Sequence, residues 1–331
     1  MNFEKVYFEP AALGYELGGI LRRELKDIPW EPIESHNRIP FMQNKPNKEF
    51  PHMKRSLIVG VRKTHAYMPN NKTSDYLVPY TSSGCSAACL YCYLVCNYNK
   101  CAYLRLFVNR EHMLSNIIRT AEKGDRDLVF EIGSNSDLVL ENMVTGNLAW
   151  TIEHFAHAKK GALTFPTKFD MVDSLLPLPH RGRIIPRVSV NPGEIIRRIE
   201  IGTSPLTGRI EAINKLAKAG YPAGLLVAPV VLLSGWQKMY AGLFRALDEG
   251  LFPQTKDGLP VEIIFMTYSY VHRMINAEAF PGAPVLYDPD IMTVRGRGRY
   301  RYGPKASAEA ERFLREQIAE HLPRAEIRYI V

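Results

Sequence analysis

Long hydrophobic runs are missing from this chain of 331 residues. The longest apolar stretch, Gly224–Leu233, falls well short of the roughly 18 residues that suggest a membrane span, and Pro229 interrupts it. No membrane association is therefore expected. The opening Met1-Asn2-Phe3-Glu4-Lys5 shows no basic segment leading into an apolar one. That argues against a secretory leader and makes a cytoplasmic location the expectation. Low-complexity tracts are absent too, so nothing points to a disordered or fibrous protein. Cysteine is scarce, with five residues, all of them between Cys85 and Cys101. A disulfide framework would spread its cysteines along the chain. Crowding them into one loop points instead to a metal or a cluster.

What is present suits a globular α/β protein. A hydrophobic fraction of 46% supplies a large core, and the length fits one large domain with an appendage or two smaller ones. The net charge of +8 favours a polyanionic partner without naming it.

Residues 1–75 read as an N-terminal cap, with a helix over about Pro10–Asp27, a Pro/Asn-rich stretch from Trp30 to Pro51, and a strand at Leu57–Val61. From residue 76 to 270 strand-like and helix-like runs alternate. The strands are Tyr76–Pro79, Leu128–Ile132, Leu163–Phe165, Ile184–Val190, Leu225–Val231 and Val261–Met266. The helices between and after them are Arg110–Lys123, Asn142–Lys159, Met171–Leu175, Pro205–Ala219 and Gln237–Glu249. Ser204 is the expected N-cap of the fourth, with Pro205 in its first turn and Gly220 at its end. Leu225–Val231 is almost wholly apolar, as a strand covered on both faces requires. This alternation predicts a parallel sheet, open or closed into a partial barrel. Residues 271–331 hold an arginine-rich stretch, a helix over Ser307–His321 and a last strand at Glu326–Val331.

The strongest signal is Cys85-Ser-Ala-Ala-Cys89-Leu-Tyr-Cys92, three thiols in Cys-x3-Cys-x2-Cys spacing. Thiolates are the natural ligands of iron–sulfur clusters. Three of them on a 4Fe–4S cluster leave one iron open, and that iron can chelate the amino and carboxylate groups of S-adenosylmethionine (SAM). The motif follows the first strand, at the end of the sheet where α/β sites gather. The alternatives are a structural zinc site with Cys96 or Cys101 as fourth ligand, or a cluster with four thiolates.

The motif and its surroundings resemble the spore photoproduct lyase family of radical SAM DNA-repair enzymes. The likeness runs through Val6-Tyr7-Phe8-Glu9-Pro10, Ser35-His36-Asn37, Leu57–Lys63, the cysteine loop with Cys92-Tyr93-Leu94, Gly202–Leu206 and Gly224–Pro229. It fades after Gly235-Trp236. The resemblance implies a partial (β/α)6 TIM-type barrel with a C-terminal β-hairpin, SAM at the C-terminal ends of the strands, and a spore-core location. It implies as substrate DNA carrying the thymine–thymine spore photoproduct, restored to two thymines by a SAM-derived radical. A reductant such as flavodoxin or ferredoxin is implied as partner. Ser136, Lys168, Ser189 and Asn191 match or adjoin positions that hold SAM, and Lys168 would pair with its carboxylate. Without the resemblance, Ser136 reads as a helix cap and Lys168 as a solvated lysine. Tyr91 and Tyr93 match tyrosines linked to hydrogen relay; alone they read as packing aromatics.

Two features depart from the family pattern. Ser134 stands where the family places the cysteine that returns a hydrogen atom, and a serine O–H bond is too strong for that task. Cys96, ahead of Cys101, is the expected substitute, although a free thiol often simply packs. After the sixth strand, Met266-Thr-Tyr-Ser-Tyr270 replaces a basic-aromatic stretch. Further on, Arg295, Arg297, Arg299 and Arg301 alternate with Gly296, Gly298, Tyr300 and Tyr302. On one extended strand this puts four guanidinium groups on one face, for phosphates, and Tyr300 on the other, for bases. A solvated basic loop is the plain alternative. Two other readings stay open: a related radical SAM enzyme with a different substrate, and a non-catalytic DNA-binding protein with a structural metal.

Overall fold

The computed structural model describes residues 3–331. Met1 and Asn2, which enter the reading against a leader, lie outside the described residues. The six expected barrel strands form and lie side by side in chain order: Tyr76–Leu77, Val129–Glu131, Ala162–Thr167, Ile184–Val190, Gly224–Val230 and Pro260–Phe265. All pair in parallel. Glu326–Ile330 adds a parallel strand beyond the sixth, and Met68–Pro69 an antiparallel one beyond the first. The sheet curls into an open half-barrel, the partial (β/α)6 barrel of the sequence reading. Its apolar runs explain the closure. Leu163, Phe165, Val188, Val190, Val227, Val261 and Ile263 are fully buried, and each such side chain contributes about 1.5–3 kcal/mol. A polar layer crosses the interior. Arg187 on the fourth strand forms ion pairs with Glu131 on the second at 2.7 Å and Glu262 on the sixth at 2.9 Å.

The helices follow the pattern with physical exceptions. Arg110–Lys123 forms as expected, and Leu206–Lys218 ends at Gly220, whose φ is +87°. Ser204 does not cap that helix. Pro205 holds the N-cap position, and Ser204 Oγ donates to Asp170 Oδ1 at 2.7 Å. The helix expected over Asn142–Lys159 is two, Leu138–Thr145 and Asn147–Phe155, because Gly146 turns left-handed at φ +62°. Met171–Leu175 shrinks to a 3-10 turn, Asp173–Leu175.

The N-terminal segment builds its own sheet from Trp30–Pro32, Lys5–Phe8 and Ser56–Gly60, extended by Leu104–Phe107 and Ser82–Ser83. The last two strands come from beyond residue 75, so cap and barrel interlock through the cysteine region. The residues that carried the N-terminal likeness meet here. Glu9 accepts from His36 N at 2.9 Å, His36 Nδ1 at 2.8 Å and Val61 N at 2.9 Å. A Cβ on Gly60 would stand 2.9 Å from His36 Nδ1, so only glycine fits.

The arginine stretch is not one strand. Met292–Gly296 and Arg299–Tyr302 form an antiparallel hairpin. Arg297 and Gly298 take φ of +51° and +67° at its turn, the two-residue geometry that hairpins favour. Arg295, Arg297, Arg299 and Arg301 are therefore divided over two strands and a tip. Thr267–Ser269, immediately after the sixth barrel strand, pairs with Arg299–Arg301 and ties the hairpin to the barrel rim.

Candidate active site

The cysteine loop lies across the C-terminal ends of the barrel strands, held by backbone pairing. Ala88–Cys89 pairs antiparallel with Glu200–Ile201, and Leu90 N donates to Ile199 O at 3.0 Å. Gly84 starts the loop at φ +76°, with its Cα so close to Tyr103 that a Cβ would sit 1.9 Å from the carbonyl oxygen. Cys85, Cys89 and Cys92 are half-buried. Burial pushes the Cys85 thiol up to about 12, against the pull of Lys54. Among the described residues no three His, Cys, Asp or Glu side chains gather as a single ion requires. A zinc site would need such convergence at about 2.0–2.3 Å from one point.

Beneath the loop lies Lys54, 4% exposed. Its ammonium donates to Cys85 O at 2.9 Å and Ala102 O at 2.6 Å. Among the described residues it has no carboxylate partner. A buried cation without an acid is costly unless an anion lies nearby. A cluster carried by three thiolates is such an anion, so the residues present fit that group.

Beside the loop, Lys168 and Asn191 of the expected SAM residues converge on a group that sequence reasoning missed. Glu200 is fully buried and receives Lys168 Nζ at 3.0 Å, Asn191 Nδ2 at 2.7 Å, Arg209 Nη2 at 2.6 Å and the Tyr91 hydroxyl. Burial alone would raise its carboxyl, but Lys168 and Arg209 outweigh that and hold it at about 2. Lys168 is not a solvated side chain. It also donates to Ser189 Oγ at 2.8 Å and Ala228 O at 2.6 Å, which commits all three of its hydrogens. Ser136 lies apart, its Oγ 2.5 Å from Ser82 Oγ, which in turn donates to Glu141 Oε2. It does not cap the next helix; Asp137 does, accepting from Leu140 N at 3.3 Å.

The geometry agrees with the comparisons. A family model described as spore photoproduct lyase matches residues 1–331. The chain belongs to the spore photoproduct lyase family. The spore photoproduct lyase of Bacillus subtilis (strain 168) is 33% identical over 332 residues, covering 98% of this chain and 97% of its own. A solved spore photoproduct lyase double mutant with bound AdoMet and dinucleoside spore photoproduct has a TM-score of 0.92 at 29% identity, over 100% of both chains. A second, complexed with dinucleoside spore photoproduct, has a TM-score of 0.91 at 30% identity over 99% of each. Among the described residues no helix is long and apolar enough to cross a membrane.

Against this family background the remaining residues divide. Tyr91 is buried, with its hydroxyl committed to Glu200, whereas Tyr93 is 49% exposed. Desolvation first, and Cys92 and Glu131 next, raise its phenol. Cys96 is half-buried, its thiol donating to Ser269 Oγ at 3.4 Å on the segment that carries the hairpin. Cys101 is buried among Tyr7, Ile39, Met42 and Tyr103, away from the barrel mouth. Ser134 is half-buried in the turn after the second strand. Arg295, Arg297, Arg299 and Arg301 are exposed. Tyr300 is half-buried with its ring 4.6 Å from Tyr287, tilted at 57°. Lys54, Glu200 and Arg209 were missed because a lone charged residue has no spacing signature. The one hint was Glu200's place just before the matched Gly202–Leu206.

Proposed function

We propose that this chain is a DNA-repair lyase that returns the spore photoproduct to two thymines by radical SAM chemistry. The observation that carries the reading is the family match across residues 1–331 joined to a mouth of the same architecture as relatives holding AdoMet and the dinucleoside lesion. Cys85, Cys89 and Cys92 hold the 4Fe–4S cluster, and Ser136, Lys168, Ser189 and Asn191 hold SAM. Bound together, these groups supply an organic radical able to take a hydrogen atom from the lesion.

The chain's own residues then orient and quench. Lys168 would turn part of its charge from Glu200 towards the carboxylate of SAM, while Arg209 keeps Glu200 compensated. Tyr91 anchors Glu200, and its hydroxyl must leave that bond before it can pass a hydrogen atom. Tyr93 is open to the mouth and suits the relay better. Cys96 supplies the hydrogen that Ser134 cannot, through a weak S–H bond. The hairpin arginines neutralise phosphates while the lesion is turned out of the duplex into the mouth. A low-potential reductant of the flavodoxin or ferredoxin class feeds the cluster in the reducing interior of a spore-forming cell.

The test is conversion of a synthetic spore photoproduct dinucleotide by anaerobically reconstituted protein. Thymine is the expected product, and Cys96→Ala shifts material into side products while Cys101→Ala does not. SAM cleavage without conversion would move the chain to another substrate. No SAM cleavage would remove it from this chemistry.

A further inference from the structure

Lys54 is a fully determined feature that no part of the reaction above uses. It sits at the end of the short helix Phe50–Met53, in the N-terminal segment and outside the barrel that carries the cysteines. The chain fold brings it under the loop: its two acceptors belong to Cys85, the first thiol of the motif, and to Ala102, where the chain leaves the loop. Phe50 covers it, with the ring centroid 5.0 Å from Nζ. Phe50 itself packs with Ala88, Leu94, Val95 and Ala102 of the cysteine region. Lys168, the other lysine close to the loop, is paired with Glu200.

We propose that Lys54 is a positioning residue that fixes one uncompensated positive charge against the cluster and so raises its reduction potential. The inference rests on the cluster reading above. Reducing a cluster adds an electron to an already anionic group. A buried cation favours the reduced form more than the oxidised form, because it attracts the extra charge. The amine also fixes the Cys85 and Ala102 carbonyls, which holds the two ends of the loop in register.

The experiment is a potentiometric titration of the reconstituted cluster followed by electron paramagnetic resonance, on the parent chain, Lys54→Gln, Lys54→Met and Lys54→Arg. Gln keeps a donor for a carbonyl without the charge, and Arg keeps the charge. The expected result is that both neutral variants bind iron and sulfide as the parent does but are harder to reduce. The shift is about tenfold in the one-electron equilibrium, or about 59 mV to lower potential. Lys54→Arg stays within a small fraction of that shift. Equal potentials in parent, Gln and Met variants would overturn the proposal. So would folded Gln and Met variants that bind no iron, since Lys54 would then hold the loop and not set the potential. A parent chain that carries zinc would defeat the cluster reading itself, a result distinct from either.

Discussion

Two lysines flank the cysteine loop, and they are treated in opposite ways. Lys168, on the barrel wall, finds its anion inside the chain: Glu200, which also satisfies Arg209, Asn191 and Tyr91. Lys54, under the loop, finds only carbonyl oxygens. The difference separates a lysine paired with a carboxylate from one that, among the described residues, has none. The hairpin repeats the second kind at the surface, since Arg295, Arg297, Arg299 and Arg301 are exposed and, among the described residues, form no ion pair. Under the proposed function, Lys54 meets its anion in the cluster and the hairpin arginines meet theirs in DNA phosphates.

The largest test of that division is Glu200→Gln. It strands Arg209, which is fully buried, and Lys168 without their acid. Breaking a buried pair in this way costs about 3–5 kcal/mol. Urea unfolding checks it as a lower midpoint at unchanged slope. A loss below about 1 kcal/mol would mean that Glu200 is not the hub. The same residue gives a smaller, pH-dependent effect. Its folded value is about 2 against 4.5 for the free carboxyl. The stability it contributes is therefore complete above pH 4.5 and is lost as pH falls towards 2, on the order of 3 kcal/mol. Glu200→Gln should flatten that part of the acid unfolding profile. Glu9, also held at about 2 against its burial by His36 and backbone donors, leaves a residual acid limb from the N-terminal sheet. The smallest effect belongs to the hairpin. Arg299→Ala or Arg301→Ala should weaken DNA binding and reduce the salt slope by about one unit each. An unchanged slope would take that arginine out of the phosphate interface.

Much of this was legible in the sequence, for stated reasons. A run covered on both faces has to be apolar, so the strand at Leu225–Val231 stood out. Arg110–Lys123 showed itself by period. The thiol spacing carried its own chemistry. What escaped depended on distant partners or on single backbone angles. Leu104–Phe107 was missed because Arg105, buried there, hides a strand one of whose partners, Ser56–Gly60, lies in the N-terminal segment. The break at Gly146 turns on one left-handed residue, and the division of the arginine stretch on two. Glu200 meets Tyr91 across 109 residues and Lys54 meets Ala102 across 48, distances over which a local pattern says nothing.

Everything chemical here depends on three thiolates leaving one iron of a four-iron cluster open. The direct measurement is the electron paramagnetic resonance spectrum of the oxygen-protected, reduced protein before and after SAM is added. A spectrum that changes on addition is the predicted result. An unchanged spectrum, or protein that carries zinc in place of iron and sulfide, would contradict the account.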